Sequence, residues 1–176
     1  MNKAFEKSFS ILEERKSRLF TKLSDFSNDQ LATKPAENAW SILQVLDHLI
    51  YAEAASLAYT KRKMQAGDQL KDASSITFLR MSLYDAILRT PYRIKAPAVV
   101  ASPKGIESLE KALTEFTAMR SELEEFLVSF PDKYLKKGVY RQPLAGLISA
   151  PQMIRFFDAH LKHHIYQIDR TLKFVS

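Results

Sequence analysis

Residues 40–49 read Trp40-Ser41-Ile42-Leu43-Gln44-Val45-Leu46-Asp47-His48-Leu49. Ser41 and Gln44 have the form S-x-x-Q. The serine hydroxyl can accept the N–H three residues on, and the glutamine can reach back to the serine N–H. Trp40 stands before the cap and Val45 at the fourth helical position, a hydrophobic staple. This punctuation opens a helix that should run to about Gln65, where Gly67 stops it. Ile42, Val45, Leu46, Leu49 and Ala52 line its inner side, and His48 shares that face.

The same punctuation recurs near the C-terminus. Ser149-Ala150-Pro151-Gln152 is a second S-x-x-Q, with Ile148 and Met153 as the staple pair. The helix it opens should continue to about Lys173, with Met153, Phe157, Leu161, Ile165, Ile168 and Leu172 on its apolar side. Two more segments have helical periodicity. Phe5, Phe9, Leu12, Leu19 and Leu23 mark one from Lys3 to Leu23, with Lys16 interrupting the stripe. Ile106, Leu109, Leu113, Phe116, Leu123, Leu127 and Phe130 mark another, with a skipped step at Arg120. Its start is expected near Ser102-Pro103, and Pro131 ends it. Strand signals are weak. Residues 93–101 contain β-branched residues, but Pro97 interrupts them. About 35 residues join the second helix to the third, and within them residues 76–88 should form a short accessory helix. The fold class is therefore all-α: a four-helix bundle in one domain, residues 1–176, whose long crossover can leave the second and third helices parallel.

Composition excludes several chemistries. The 176 residues include no cysteine, so disulfides, thiolate metal sites and a cysteine nucleophile are absent. Four glycines form no phosphate-binding loop. Lys and Arg total 26 against 20 acids, a net charge of +6. The basic runs, Lys61-Arg62-Lys63 and Lys136-Lys137, are short and lack interleaved aromatics, so nucleic acid is not an expected partner. No stretch approaches the roughly 18 apolar residues of a membrane span. The N-terminal residues do not read as a secretion signal, so a cytoplasmic protein is expected.

The four histidines are His48, His160, His163 and His164, three of them within five residues. His160 and His164 lie one helical turn apart on one face and can hold one cation. His48 points inward from another helix. Three imidazoles with open positions are the pattern of a catalytic rather than a structural metal site. His163 lies 100° around the helix and can either replace His160 or face solvent, the second being the expectation. The pair is not H-E-x-x-H, so a general base must come from elsewhere. Glu53, Tyr51, Asp158 and Gln167 are the candidates for acid–base or supporting roles. Asp47 belongs on the outer face, and Tyr140 and Arg141 read as a surface turn or a pocket mouth.

Taken together these residues resemble the DinB/YfiT-like family. Its first motif matches Pro35 followed by Trp40-Ser41-Ile42-Leu43-Gln44-Val45-Leu46-Asp47-His48-Leu49. Its second matches Pro143 to Ser149 followed by His160-Leu161-Lys162-His163-His164-Ile165-Tyr166-Gln167-Ile168. The resemblance implies an up-down-down-up four-helix bundle and homodimers. It implies a divalent metal, such as zinc or nickel, on His48, His160 and His164. It also implies activity on a small-molecule substrate, as a metal-dependent hydrolase or a transferase that uses a low-molecular-weight thiol. Three neutral imidazoles leave the cation its full charge, which acidifies a bound water or thiol. Without protein cysteines, a thiol nucleophile must arrive with a cofactor. A non-catalytic metal- or ligand-binding bundle is the alternative.

Overall fold

The computed structural model describes residues 2–88, 90, 103 and 105–175. Four long helices pack in a ring: α1 (Lys3–Leu23), α3 (Ile42–Met64), α5 (Leu109–Val128) and α6 (Ala150–Val175). Around the ring α1 touches α6 and α5, and α3 touches the same two. The short α2 (Asn28–Ala32) follows α1, and α4 (Ser75–Leu88) is the accessory helix of the crossover. Among the described residues, no helix is long and apolar enough to cross a membrane.

Local chemistry sets the helix starts. Ser41 Oγ accepts from the Gln44 N–H at 3.2 Å, and the Ser41 N–H donates to Gln44 Oε1 at 3.0 Å, closing the capping box. Ser149 donates its N–H to Gln152 Oε1 at 2.8 Å. Ser27 and Gln30 form another box at the start of α2. The third long helix starts later than Ser102-Pro103, and Ser102 lies outside the described residues. Its cap is Ser108, which accepts from the Lys111 N–H at 3.1 Å. The physical reason is the tether upstream. Gln44 Nε2 donates to the Pro103 carbonyl at 3.3 Å, and the Gly105 N–H donates to Asp47 Oδ2 at 2.9 Å. Gly105 has φ +90, which no helix accommodates. Asp47 is thus on the outer side of α3, holding the end of the crossover.

The possible strand at 93–101 lies outside the described residues. A hairpin that periodicity did not indicate precedes α6. Strand β1 (Tyr140–Gln142) pairs antiparallel with β2 (Gly146–Ile148), with Tyr140 opposite Ile148. Gln142 Oε1 accepts the Leu144 N–H at 2.7 Å and the Ala145 N–H, which tightens the turn. Tyr140 is consequently a buried strand residue rather than part of a surface turn, whereas Arg141 is exposed.

The two interruptions of the apolar stripes are buried charges. Arg120 is 1% exposed and is the largest of the fully buried side chains. Its Nε and Nη2 donate to Glu53 Oε2 and Oε1 at 2.7 and 2.8 Å, and its Nη1 to Glu13 Oε1 at 2.7 Å. Lys16, also buried, pairs with Glu13 at 2.7 Å. The guanidinium fork satisfies two carboxylates from two other helices, so α1, α3 and α5 meet at one point. Burial pushes the Glu53 carboxyl above its ordinary value, and Arg120 pulls it back. Removing one member of such a pair strands the other. Arg120→Met should therefore lower unfolding stability by about 3–5 kcal/mol in urea titrations. Adding Glu53→Met should recover most of that loss, and a double variant as weak as the single one would contradict the stranded-charge account.

Candidate metal centre

Helix α3 supplies His48 and helix α6 supplies His160 and His164, and the α3–α6 contact brings their rings together. His160 Nε2 stands 3.3 Å from His48 Nε2 and 3.1 Å from His164 Nε2. The three ligand atoms all lie within 4.8 Å of one another. Two imidazole nitrogens sharing a tetrahedral ion at about 2.0–2.1 Å would stand about 3.3 Å apart. The spacing of the ring nitrogens suits that geometry.

The protonation pattern suits it too. His164 Nδ1 lies 2.9 Å from Gln167 Oε1, an amide oxygen that can only accept. Nδ1 therefore bears the hydrogen, and Nε2 turns a lone pair toward the other two rings. This is the usual arrangement behind a metal-bound imidazole. Burial, reinforced by the neighbouring rings of His48 and His163, pushes His160 down to about 3. Burial likewise holds His164 well below its ordinary value, against the opposing pull of Gln167. The site thus presents uncharged nitrogen donors at neutral pH, as a cation requires.

Aromatic rings enclose the cluster. The Trp40 indole lies 5.0 Å from the His48 ring and is nearly parallel to His164 at 6.5 Å. Phe156, one turn before His160 on α6, stacks on its ring at 5.4 Å with an interplanar angle of 18°. Tyr84 of α4 and Tyr140 of β1 stack in turn on Phe156.

A profile of the DinB superfamily matches residues 11–168. The chain belongs to this family. Within the DinB superfamily it is similar to YuaE of Bacillus subtilis strain 168, an uncharacterized protein, with 27% identity over 159 residues. That alignment covers 90% of this chain and 93% of YuaE. The structure also matches YfiT from Bacillus subtilis, described as a probable metal-dependent hydrolase with an unusual four-helix bundle topology. The TM-score is 0.61 at 16% identity, covering 98% of this chain and 89% of YfiT. At that identity the likeness concerns the fold.

The other candidate residues of this DinB chain separate clearly. Gln167 joins the cluster through His164. Glu53 does not: both its oxygens are occupied by Arg120. Tyr51 is 54% exposed on α3. Asp158 pairs with Arg15 of α1 at 2.7 Å. His163 is buried rather than solvent-facing; burial lowers its pKa, and the Leu88 backbone at the end of α4 pulls the other way. The physical reason is that α4 packs over this side of α6, a contact helix phase alone does not reveal. Sequence reasoning treated Trp40 as a staple and left out Phe156 and Tyr84. The spacing of Phe156 from His160, one turn on the same face, was the available signal for Phe156. Tyr84 had none.

The sign of an acid response follows from the lowered histidines of the metal-free protein. In the unfolded chain their ordinary value is near 6.5, so below that pH the unfolded state binds more protons. Folded stability is then lost as pH falls through about 6.5. Urea midpoints of the metal-free protein should drop between pH 7 and pH 5, and less steeply in His160→Gln. An equal slope in both proteins would contradict burial of a neutral His160.

Proposed function

We propose that this protein is a metal-dependent enzyme acting on a small molecule, with hydrolysis as the leading chemistry. The observation that carries the reading is the convergence of three histidine Nε2 atoms from α3 and α6. The description of YfiT as a probable metal-dependent hydrolase supports it. His48, His160 and His164 would hold the ion. When bound, a divalent ion supplies a Lewis acid that polarises a substrate oxygen and lowers the pKa of water.

The chain's own residues prepare that chemistry. Burial keeps His160 and His164 unprotonated. Gln167 fixes the His164 tautomer, and Trp40 and Phe156 hold the rings in place by stacking. Imidazole donors suit zinc or nickel equally. A transferase variant of the same reading uses a low-molecular-weight thiol as co-substrate, because the chain has no cysteine.

We further propose that the long helices run up-down-down-up. Thr60, late in α3, meets Met153, early in α6. Arg15 and Lys22 pair in step with Asp158 and Asp169. Glu53 and Lys61 pair with Arg120 and Glu122 in the same chain order. These contacts support antiparallel α3 and α6, and parallel pairs α1–α6 and α3–α5. Two copies of the chain are proposed to associate. Light scattering should then read twice 20.2 kDa, and a single-chain mass would refute the pairing.

Elemental analysis after zinc or nickel reconstitution of untagged protein should find about one ion per chain. His48→Ala and His160→Ala should lose it, together with turnover of ester and amide probes. Wild-type protein that retains no ion would overturn the reading. Metal retention without turnover of any hydrolytic or thiol-acceptor probe would overturn the enzymatic part.

A further inference from the structure

Beside the three histidines stands a second feature that metal binding does not explain. Phe156 carries stacked phenols from two elements outside the four long helices. Tyr84 comes from α4, at 6.1 Å between ring centres and 25° between planes. Tyr140 comes from β1, at 6.2 Å and 27°. The ladder thus runs from His160 through Phe156 to a pair of phenols.

The two hydroxyls differ in their commitments. Tyr140 bonds Ser56 at 3.0 Å, and Ser56 also reaches the Ala52 carbonyl of α3 at 2.6 Å. Tyr140 is therefore anchored to the helix that bears His48. The Tyr84 hydroxyl has no hydrogen-bond partner among the described residues, although its ring is half-buried. A hydroxyl at the edge of the core with no partner in the protein can donate to a bound molecule. Burial raises both phenols above their ordinary value; Tyr140 and Asp85 add to the rise at Tyr84, and at Tyr140 the Ser56 bond pulls the other way while Tyr59 adds to it. Both stay protonated at neutral pH, so Tyr84 keeps a free donor.

We propose that Tyr84 is a substrate-contacting, specificity-determining residue. It donates a hydrogen bond to an acceptor group at the far end of a substrate with a flat apolar body. That body lies along the edge of Phe156, and its reacting end is at the histidines. This inference rests on the metal-centre reading above. The substrate class is then an aryl or similarly flat unsaturated compound with a carbonyl-type acceptor remote from its metal-directed group. Sites built to hydrogen-bond a substrate group discriminate strongly against analogues without it. Apolar walls with few polar groups provide the rest of the affinity.

Three chelating probes separate the parts of this arrangement. Acetohydroxamate engages the ion alone. Benzohydroxamate adds the flat ring, and 4-acetamidobenzohydroxamate adds the remote acceptor. Calorimetric titration of the zinc-loaded protein should show affinity rising at each addition, the last by about fivefold to tenfold, the scale of one neutral hydrogen bond. Tyr84→Phe should abolish that last gain and leave acetohydroxamate and benzohydroxamate binding unchanged. The unchanged acetohydroxamate affinity also verifies that the variant is folded around its ion. Phe156→Leu should abolish the gain from the ring. A Tyr84→Phe protein that keeps the full preference for the acetamido probe overturns the assignment of Tyr84. Wild type that binds all three probes equally overturns the subsite while the metal centre stands. Failure of acetohydroxamate to bind the zinc-loaded wild type overturns the metal-centre reading, and the subsite with it.

Discussion

The guanidinium of Arg120 is the interaction on which the arrangement of helices depends. A charge of that size, 1% exposed, is tolerable only if its donors are all met. Each of its three nitrogens donates to Glu53 of α3 or Glu13 of α1, and Lys16 balances the second carboxylate. An apolar contact can slide by a fraction of a residue at little cost. A forked guanidinium between two carboxylates cannot, because each of its hydrogen bonds has a narrow range of length and direction. The pair therefore specifies how α1, α3 and α5 are rotated against one another. Glu53 and His48 are on the same helix, so holding one carboxylate on α5 also sets the direction in which His48 points.

That direction decides the site. α6 by itself offers two imidazoles a turn apart, an arrangement many exposed helices present. The third nitrogen, from α3, turns the pair into a converging set, and the dry surroundings keep His160 and His164 uncharged. The elements outside the ring then shape the approach. α4 covers one side of α6 and engages His163 through Leu88, while the hairpin before α6 brings in Tyr140. The DinB superfamily match over residues 11–168 and the fold likeness to YfiT both concern this frame of helices.

Much of this was legible in the residues. The boundaries of α1 and α3 follow from stripes and from the Ser41–Gln44 box, and the accessory helix was expected within one residue of Ser75–Leu88. The inward face of α3 places His48 correctly. The start of α5 was not legible, because Ser102-Pro103 and Ser108 are both plausible caps. Only the contacts of Pro103 with Gln44 and of Gly105 with Asp47 exclude a helix through Gly105. The hairpin is not legible in the sequence because three-residue strands are too short to show alternation. α4 is apolar on both sides, with Met81 and Leu88 buried and Ile76, Leu79 and Leu83 exposed, so its pattern does not reveal its packing face.

The sequence alone determined what depends on near neighbours along the chain. Caps join residues three apart, and helix phase puts His160, His164 and Phe156 on one side of α6 whatever surrounds it. The tertiary structure decided everything that depends on coverage. Lys16 and Arg120 look like defects in apolar stripes until carboxylates from other helices are placed beside them. Glu53 looks like a free acid until Arg120 takes both its oxygens. His163 looks solvent-facing until α4 lies over it, and Tyr84 has no visible connection to the histidines until Phe156 links them. Local hydrogen bonds and periodicity are short-ranged and can be read residue by residue. The cost of burying a charge, an imidazole or a phenol is set by partners distant in the chain, and only the folded structure brings those partners together.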